Sequence, residues 1–117
     1  DEFKCKDGTP VPKKYLMNVK ALCMCLERIR EVWGEPITII SGYRTESYND
    51  RVSGSENSQH LTASAADITI PGVHPSDVSQ KIRELIDEGT ILQGGVGLYP
   101  GRFAHYDVRG TPARWEG

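Results

Sequence analysis

"SENSQHLTASAADITI", residues 55–70, decides how this chain is read. Its first half is serine, asparagine and glutamate, with little to bury, and continues the polar loop "SGSENSQ" that starts at Ser53. Its second half changes period. Over residues 64–70 the side chains alternate, with Ala66, Ile68 and Ile70 on one face of a predicted strand and Asp67 and Thr69 on the other. Pro71 and Gly72 end it. A carboxylate is thereby fixed to the polar face of a strand whose other face seeks a core, and His60 stands seven positions ahead of it.

On the N-terminal side, Leu16, Val19, Leu22, Cys23, Leu26, Ile29 and Trp33 recur every three or four positions, which predicts an amphipathic helix within Pro12–Trp33 stopped by Gly34 and Pro36. "PITIIS", residues 36–41, has the length and β-branched content of a buried strand. In "GYRTESYNDRV", residues 42–52, Thr45 can cap a short helix. On the C-terminal side, Ser76 is expected to cap a helix running through Glu88, with Val78, Ile82, Leu85 and Ile86 inward and Gly89 closing it. A third strand is expected over Leu92–Tyr99, loosened by "GGVG". Pro100 and Gly101 then turn the chain into "RFAHYDV", residues 102–108, where Phe103, His105 and Asp107 share one face and Ala104, Tyr106 and Val108 the other. The expected fold is α+β, with helices packed on a small, mostly antiparallel sheet, in one domain spanning residues 1–117.

Composition narrows the function classes. With 14 basic and 16 acidic residues the formal charge is -2, and no block of like charge suits a nucleic-acid partner. No apolar run approaches the roughly 20 residues of a membrane span, so membrane insertion is not expected. The opening "DEFKCKDGTP" has neither the basic nor the apolar region of a signal peptide. Cys5, Cys23 and Cys25 are odd in number and contain no C-x-x-C spacing, so free thiols are expected rather than a disulfide framework or a cysteine-based zinc site.

Strands carrying Asp67 and His105 can lie side by side, and His60 can reach them from its loop. Two imidazoles and a carboxylate around an open fourth position form a catalytic zinc site; single histidines and aspartates also occur simply as hydrogen-bonding loop residues. His74, beside Pro75 at a helix start, reads as a surface residue.

"SQHLTASAAD", residues 58–67, resembles the S-x-H-x-x-G-x-A-x-D signature of the zinc D-Ala-D-Ala carboxypeptidase family. "SGYR" at 41–44, "YN" at 48–49 and "HYDVRG" at 105–110 resemble its short single-domain members in the same order. The resemblance implies a fold like that of this family and of hedgehog signalling domains, with His60, Asp67 and His105 as zinc ligands. It implies a substrate among the D-amino-acid stem peptides of bacterial peptidoglycan, cut by a carboxypeptidase or an endopeptidase. The place of work would be the periplasm or cell wall, or a host wall if the chain is phage-encoded.

By the same resemblance Arg44 lies beside the metal as a catalytic and substrate-binding group, a role suited to a planar, permanently charged guanidinium. Ser58 is either a substrate-contacting hydroxyl or a loop-turn serine. Tyr43, as a substrate-binding group, and Tyr99 either line the cleft or are packing aromatics beside strands, while Gln59 is expected to face solvent and Trp115 to fold back on the core. Two departures stand out. Ala63 occupies the place of the signature's glycine, which predicts a small backbone shift. The acid that relatives carry shortly before the last histidine is missing, since no acid lies between Glu88 and Asp107. Asp107 is then the best candidate for the catalytic base, with orientation of an imidazole or pairing with Arg109 as the other roles open to it, and Glu46 and Glu56 are remoter candidates. The missing acid also favours the alternative of a non-catalytic zinc-binding module.

Overall fold

The computed structural model describes residues 2–117. The first helix, α1 (Leu16–Trp33), follows a 3-10 turn at Lys13–Tyr15 and buries Leu22, Cys25, Leu26 and Ile29. That stripe has the i, i+3, i+4, i+7 spacing of one helix face. It includes Cys25 rather than Cys23, and it begins after Leu16, which is exposed. Gly34 ends α1 in the left-handed conformation at φ 65°, its N–H donating to the carbonyl of Arg30.

Strands β1 (Thr38–Ser41), β2 (Ala65–Thr69), β3 (Gly95–Tyr99), β4 (Phe103–Asp107) and β5 (Ala113–Glu116) form a sheet in the order β1-β2-β4-β3-β5. Every pairing is antiparallel except β3 with β5. Between β1 and β2 lies α2 (Glu46–Arg51), capped by Thr45, whose hydroxyl accepts the N–H of Tyr48 at 3.1 Å. The helix α3 (Pro75–Asp87) connects β2 to β3. The architecture is the α+β fold expected, with a mostly antiparallel sheet.

Three boundaries depart from expectation. Residues 36–41 do not make a buried strand: β1 is an edge strand that alternates exposed and half-buried residues. β-Branched residues report a fit to a pleated surface, not a place in the middle of a sheet. The cap of α3 is His74, not Ser76, because Pro75 fills the first helical position, where its fixed φ fits and no N–H is needed. The third strand begins at Gly95 rather than Leu92, whose side chain is exposed while its carbonyl accepts the Tyr106 hydroxyl at 2.6 Å. A fifth strand, absent from the sequence reading, carries Trp115.

The two faces of the sheet have different fates. Ala66, Ile68, Val96, Ala104 and Tyr106 point toward α1 and α3 and pack with Leu22, Ile29, Val78 and Ile82 in the main core. On the other face the registers Ser41↔Asp67, Asp67↔His105, Gly97↔His105 and Gly97↔Trp115 line up one row across all the strands. Helices therefore occupy one side and leave the row's side chains to face a cleft. Cys5, Cys23 and Cys25 are all free thiols, and His74 is exposed, as expected.

Candidate metal centre

His60 sits on a 3-10 turn, Gln59–Thr62, that crosses over the polar face of the sheet. Ser58 caps this turn, its hydroxyl accepting the His60 N–H at 3.2 Å, so it holds the ligand-bearing backbone. Ala63 closes the turn in the left-handed conformation at φ 58°, the backbone that the signature's glycine adopts without strain. For alanine this costs about 1–2 kcal/mol. Its methyl is buried beside Cys5 and Tyr43.

The ring nitrogens define what the centre can hold. His60 Nδ1 lies 2.6 Å from the carbonyl oxygen of Gly42, which can only accept, so Nδ1 carries the proton and Nε2 presents a lone pair. That lone pair faces Asp67 Oδ2 at 3.3 Å. His105 Nε2 lies 2.7 Å from Asp107 Oδ2, leaving Nδ1 to face Asp67 Oδ1 at 2.9 Å. On His60, and on His105 when its one proton sits on Nε2 toward Asp107, an acceptor thus confronts an acceptor of the same carboxylate. Such an arrangement calls for a cation among them, either protons on the imidazoles or a metal. His60, Asp67 and His105 are all buried, and one ligand atom from each lies within 4.8 Å of the others. Two imidazoles and a carboxylate, each imidazole tied down through its second nitrogen, are the donor set of a three-ligand site with an open position.

Electrostatics follow the same lines. Burial alone would raise the Asp67 carboxyl, but the contacts with His105 and His60, when protons rather than a metal lie between them, hold it well below the usual range. Burial pushes His60 below its ordinary value. For His105 burial acts in the same direction, yet its bonds to Asp107 and Asp67 outweigh it and raise the imidazole.

Asp107 is fully buried and saturated. Oδ1 accepts from the Gly95 N–H at 2.9 Å, the Arg109 N–H at 3.1 Å and Arg109 Nε at 2.8 Å, while Oδ2 accepts from Arg109 Nη2 and His105 Nε2, both at 2.7 Å. This placement argues against the catalytic-base expectation and fits the orienting one, since the carboxylate lies behind the imidazole and has no free oxygen for the cleft. Glu46 and Glu56 do not line the cleft either, and among the described residues on its wall Asp67 is the single carboxylate.

The cleft has a volume of ≈ 660 Å³ and takes Arg44, Tyr48 and Ser58 on one side and Tyr99, Phe103 and Trp115 on the other. Arg44 belongs to the centre: its backbone N–H donates to His60 O at 2.9 Å and its guanidinium reaches Asp67 Oδ2 at 3.4 Å, Ser41 Oγ at 3.3 Å and Asn49 Oδ1 at 3.2 Å. Tyr43 is not on the wall. Its ring is buried in a small second core with Cys5 and Ala63, 6.2 Å from the ring of Tyr15, in the irregular segment that follows β1. Gln59, expected in solvent, is half-buried on the cleft wall.

Two contributors, Asn49 and Gly97, have no role in the sequence reading, and a third, Trp115, has a different one. Asn49, buried, accepts from Arg44 and donates through Nδ2 to the Ser55 carbonyl at 2.9 Å, tying the loop before His60 to the guanidinium. "YN" in the resemblance was the signal for it. Gly97 leaves room on the sheet, since a Cβ there would meet the Trp115 indole at 2.5 Å. Trp115 uses that room, its ring 4.8 Å from that of His105 and its Nε1 donating to the Tyr99 hydroxyl at 3.0 Å. It covers the ligand rather than folding back on the core.

A buried His–Asp–His donor set on an open sheet face, beside an arginine and a cleft, defines a centre of the metallopeptidase class. The family described as Peptidase M15 matches residues 3–107, and the chain belongs to that family, the one its motifs resemble. The match stops at Asp107, so Arg109 and Trp115 lie beyond it. No curated protein matches the chain. No helix among the described residues is long and apolar enough to cross a membrane.

Proposed function

We propose that the chain is a zinc-dependent peptidase that hydrolyses D-amino-acid-containing stem peptides of bacterial peptidoglycan, as a D-Ala-D-Ala carboxypeptidase or an endopeptidase. One observation carries this reading: the lone pairs of His60 and His105 converge on Asp67 at the floor of a cleft, beside Arg44. When bound there, zinc supplies a Lewis acid for the scissile carbonyl and lowers the pKa of water. The chain's own groups orient the ligands and the substrate, while the proton of the attacking water has no acceptor among the described cleft-wall carboxylates other than Asp67. The Gly42 carbonyl and Asp107 fix the imidazole tautomers so that no ring N–H opposes the metal. Arg44 offers its guanidinium to a terminal carboxylate or to the carbonyl oxygen as negative charge develops on it. Trp115 and Tyr99 wall off one side of the reacting bond from water. Such a substrate puts the work outside the cytoplasmic membrane, in the periplasm or wall, or on a host wall if the chain is phage-encoded.

A second reading, a non-catalytic zinc-binding module, is favoured by one feature, the lack of any carboxylate besides Asp67 on the described cleft wall. Mass spectrometry of tetrapeptide, pentapeptide and cross-linked stems after incubation with zinc-loaded protein separates the two, with His105→Ala as control. Loss of a terminal alanine marks a carboxypeptidase and splitting of an internal or cross-linking bond an endopeptidase. Unchanged peptides with zinc retained leave the non-catalytic module.

A further inference from the structure

Lys6, Arg44, Arg102 and Arg109 line the cleft against the single carboxylate of Asp67. The chain as a whole carries -2, so this positive excess is local. Two of the cations are already engaged. Arg109 pairs with Asp107 at 2.7 Å and Arg44 with Asp67 at 3.4 Å. Arg102 has no carboxylate partner among the described residues. Its guanidinium lies over the Phe103 ring, 5.3 Å from the centroid, and Phe103 in turn stacks on Tyr99 at 4.5 Å. Aromatic support of this kind restrains an arginine while leaving its N–H fork available for a bidentate acceptor. Lys6 is also without a carboxylate partner among the described residues, but it has neither the planar fork nor a ring beneath it.

Arg102 immediately precedes β4 and stands three positions before His105, about 10 Å along an extended strand. It falls in the segment between Glu88 and His105 that holds no acid, so the rim of the cleft is cationic where the sequence resemblance calls for an anion. A second carboxylate on the substrate, removed from the reacting bond by about two or three residues, fits that distance.

We propose that Arg102 is a specificity-determining residue that binds a second carboxylate of the substrate and so selects free-acid stem peptides over amidated ones. The proposal rests on the peptidase reading above and goes beyond it by naming the form of the substrate. Two carboxylates of a stem peptide offer the same chemistry, the α-carboxylate of the γ-linked D-glutamyl residue and the free carboxylate of a diamino-acid residue. Amidation removes either one without altering the bond cut.

The test is kcat/KM of the zinc-loaded protein on three matched pentapeptides: the full acid, the D-glutamyl amide and the diamino-acid amide. The wild type is expected to favour the full acid over one of the amides by about tenfold, chiefly through KM, and the identity of that amide says which carboxylate is read. In Arg102→Gln the ratio should fall to about one, and Arg102→Lys should keep part of it. Equal rates on all three peptides in the wild type, or a preference that survives Arg102→Gln, would overturn the proposal while leaving the peptidase reading intact. If no peptide is cut, that reading fails, and calorimetric binding of the same peptides decides the role of Arg102 separately. Tighter binding of the acid form, lost in Arg102→Gln, supports it, and equal binding sinks it.

Discussion

Asp107 and Asp67 both bond to the His105 ring, one at each nitrogen, and are put to different uses. Asp67 faces the two imidazole lone pairs, whereas Asp107 stands behind His105 with every oxygen engaged. Replacing it by asparagine keeps the shape but puts a weaker acceptor, or an N–H donor, against Nε2. Asp107→Asn should therefore weaken zinc binding by about 10- to 100-fold, measured by competition against a chromogenic chelator. Affinity equal to the wild type would mean that Asp107 serves Arg109 and the Gly95 turn instead. At this scale the ligands were legible because two of them lie on strands, where a period of two puts His105 and Asp107 on one face and Asp67 on the polar side of its own strand. The side taken by Tyr43 was not legible, since it lies in the irregular segment after β1, where no period fixes which way a side chain points.

Elements decide what surrounds those ligands, and sheet order was not written in the strand patterns. Gly97 reads from sequence as a weakness in a strand. Beside β5 it becomes the gap that the Trp115 indole fills against His105. Gly97→Ala should displace the indole, costing about 1–3 kcal/mol through overpacking and shifting Trp115 emission to the red in a Trp33→Phe background. Emission and stability unchanged from the parent would show that the indole is not held there. The short "ARWE" run gave no periodicity long enough to predict β5, and its parallel pairing with β3 depends on tertiary contacts that no local pattern encodes. Helix limits set by a glycine or a threonine cap were readable; the start of α3 was not, because Pro75 competes with Ser76 for the role of first signal.

For the whole molecule, the row of charge across the open face ties stability to pH. In metal-free protein His105 has a folded pKa raised above 6.5, so the stability it contributes is complete below 6.5 and is lost as pH rises through the raised value. His60 has a folded pKa below 6.5, so its contribution is present above 6.5 and is lost as pH falls toward the lowered value. Asp67 and Asp107, both held below 3.8, add a further loss only in stronger acid. Urea unfolding of chelator-treated protein should thus give greatest stability near pH 6.5, declining on both sides. A steady rise through the alkaline limb would contradict the raised His105. Zinc binding should run the other way on that limb, strengthening as pH rises because the metal no longer has to displace the His105 proton.

Zinc content decides most directly whether the converging lone pairs are a metal centre at all. Wild-type protein and the His60→Ala, Asp67→Ala and His105→Ala variants would be equilibrated with zinc, dialysed and analysed by inductively coupled plasma mass spectrometry, with circular dichroism to confirm folding. A single zinc per chain in the wild type and its loss from each folded variant is the predicted result. A folded wild type that retains no zinc, or variants that all retain it, would contradict the centre and the peptidase chemistry built on it.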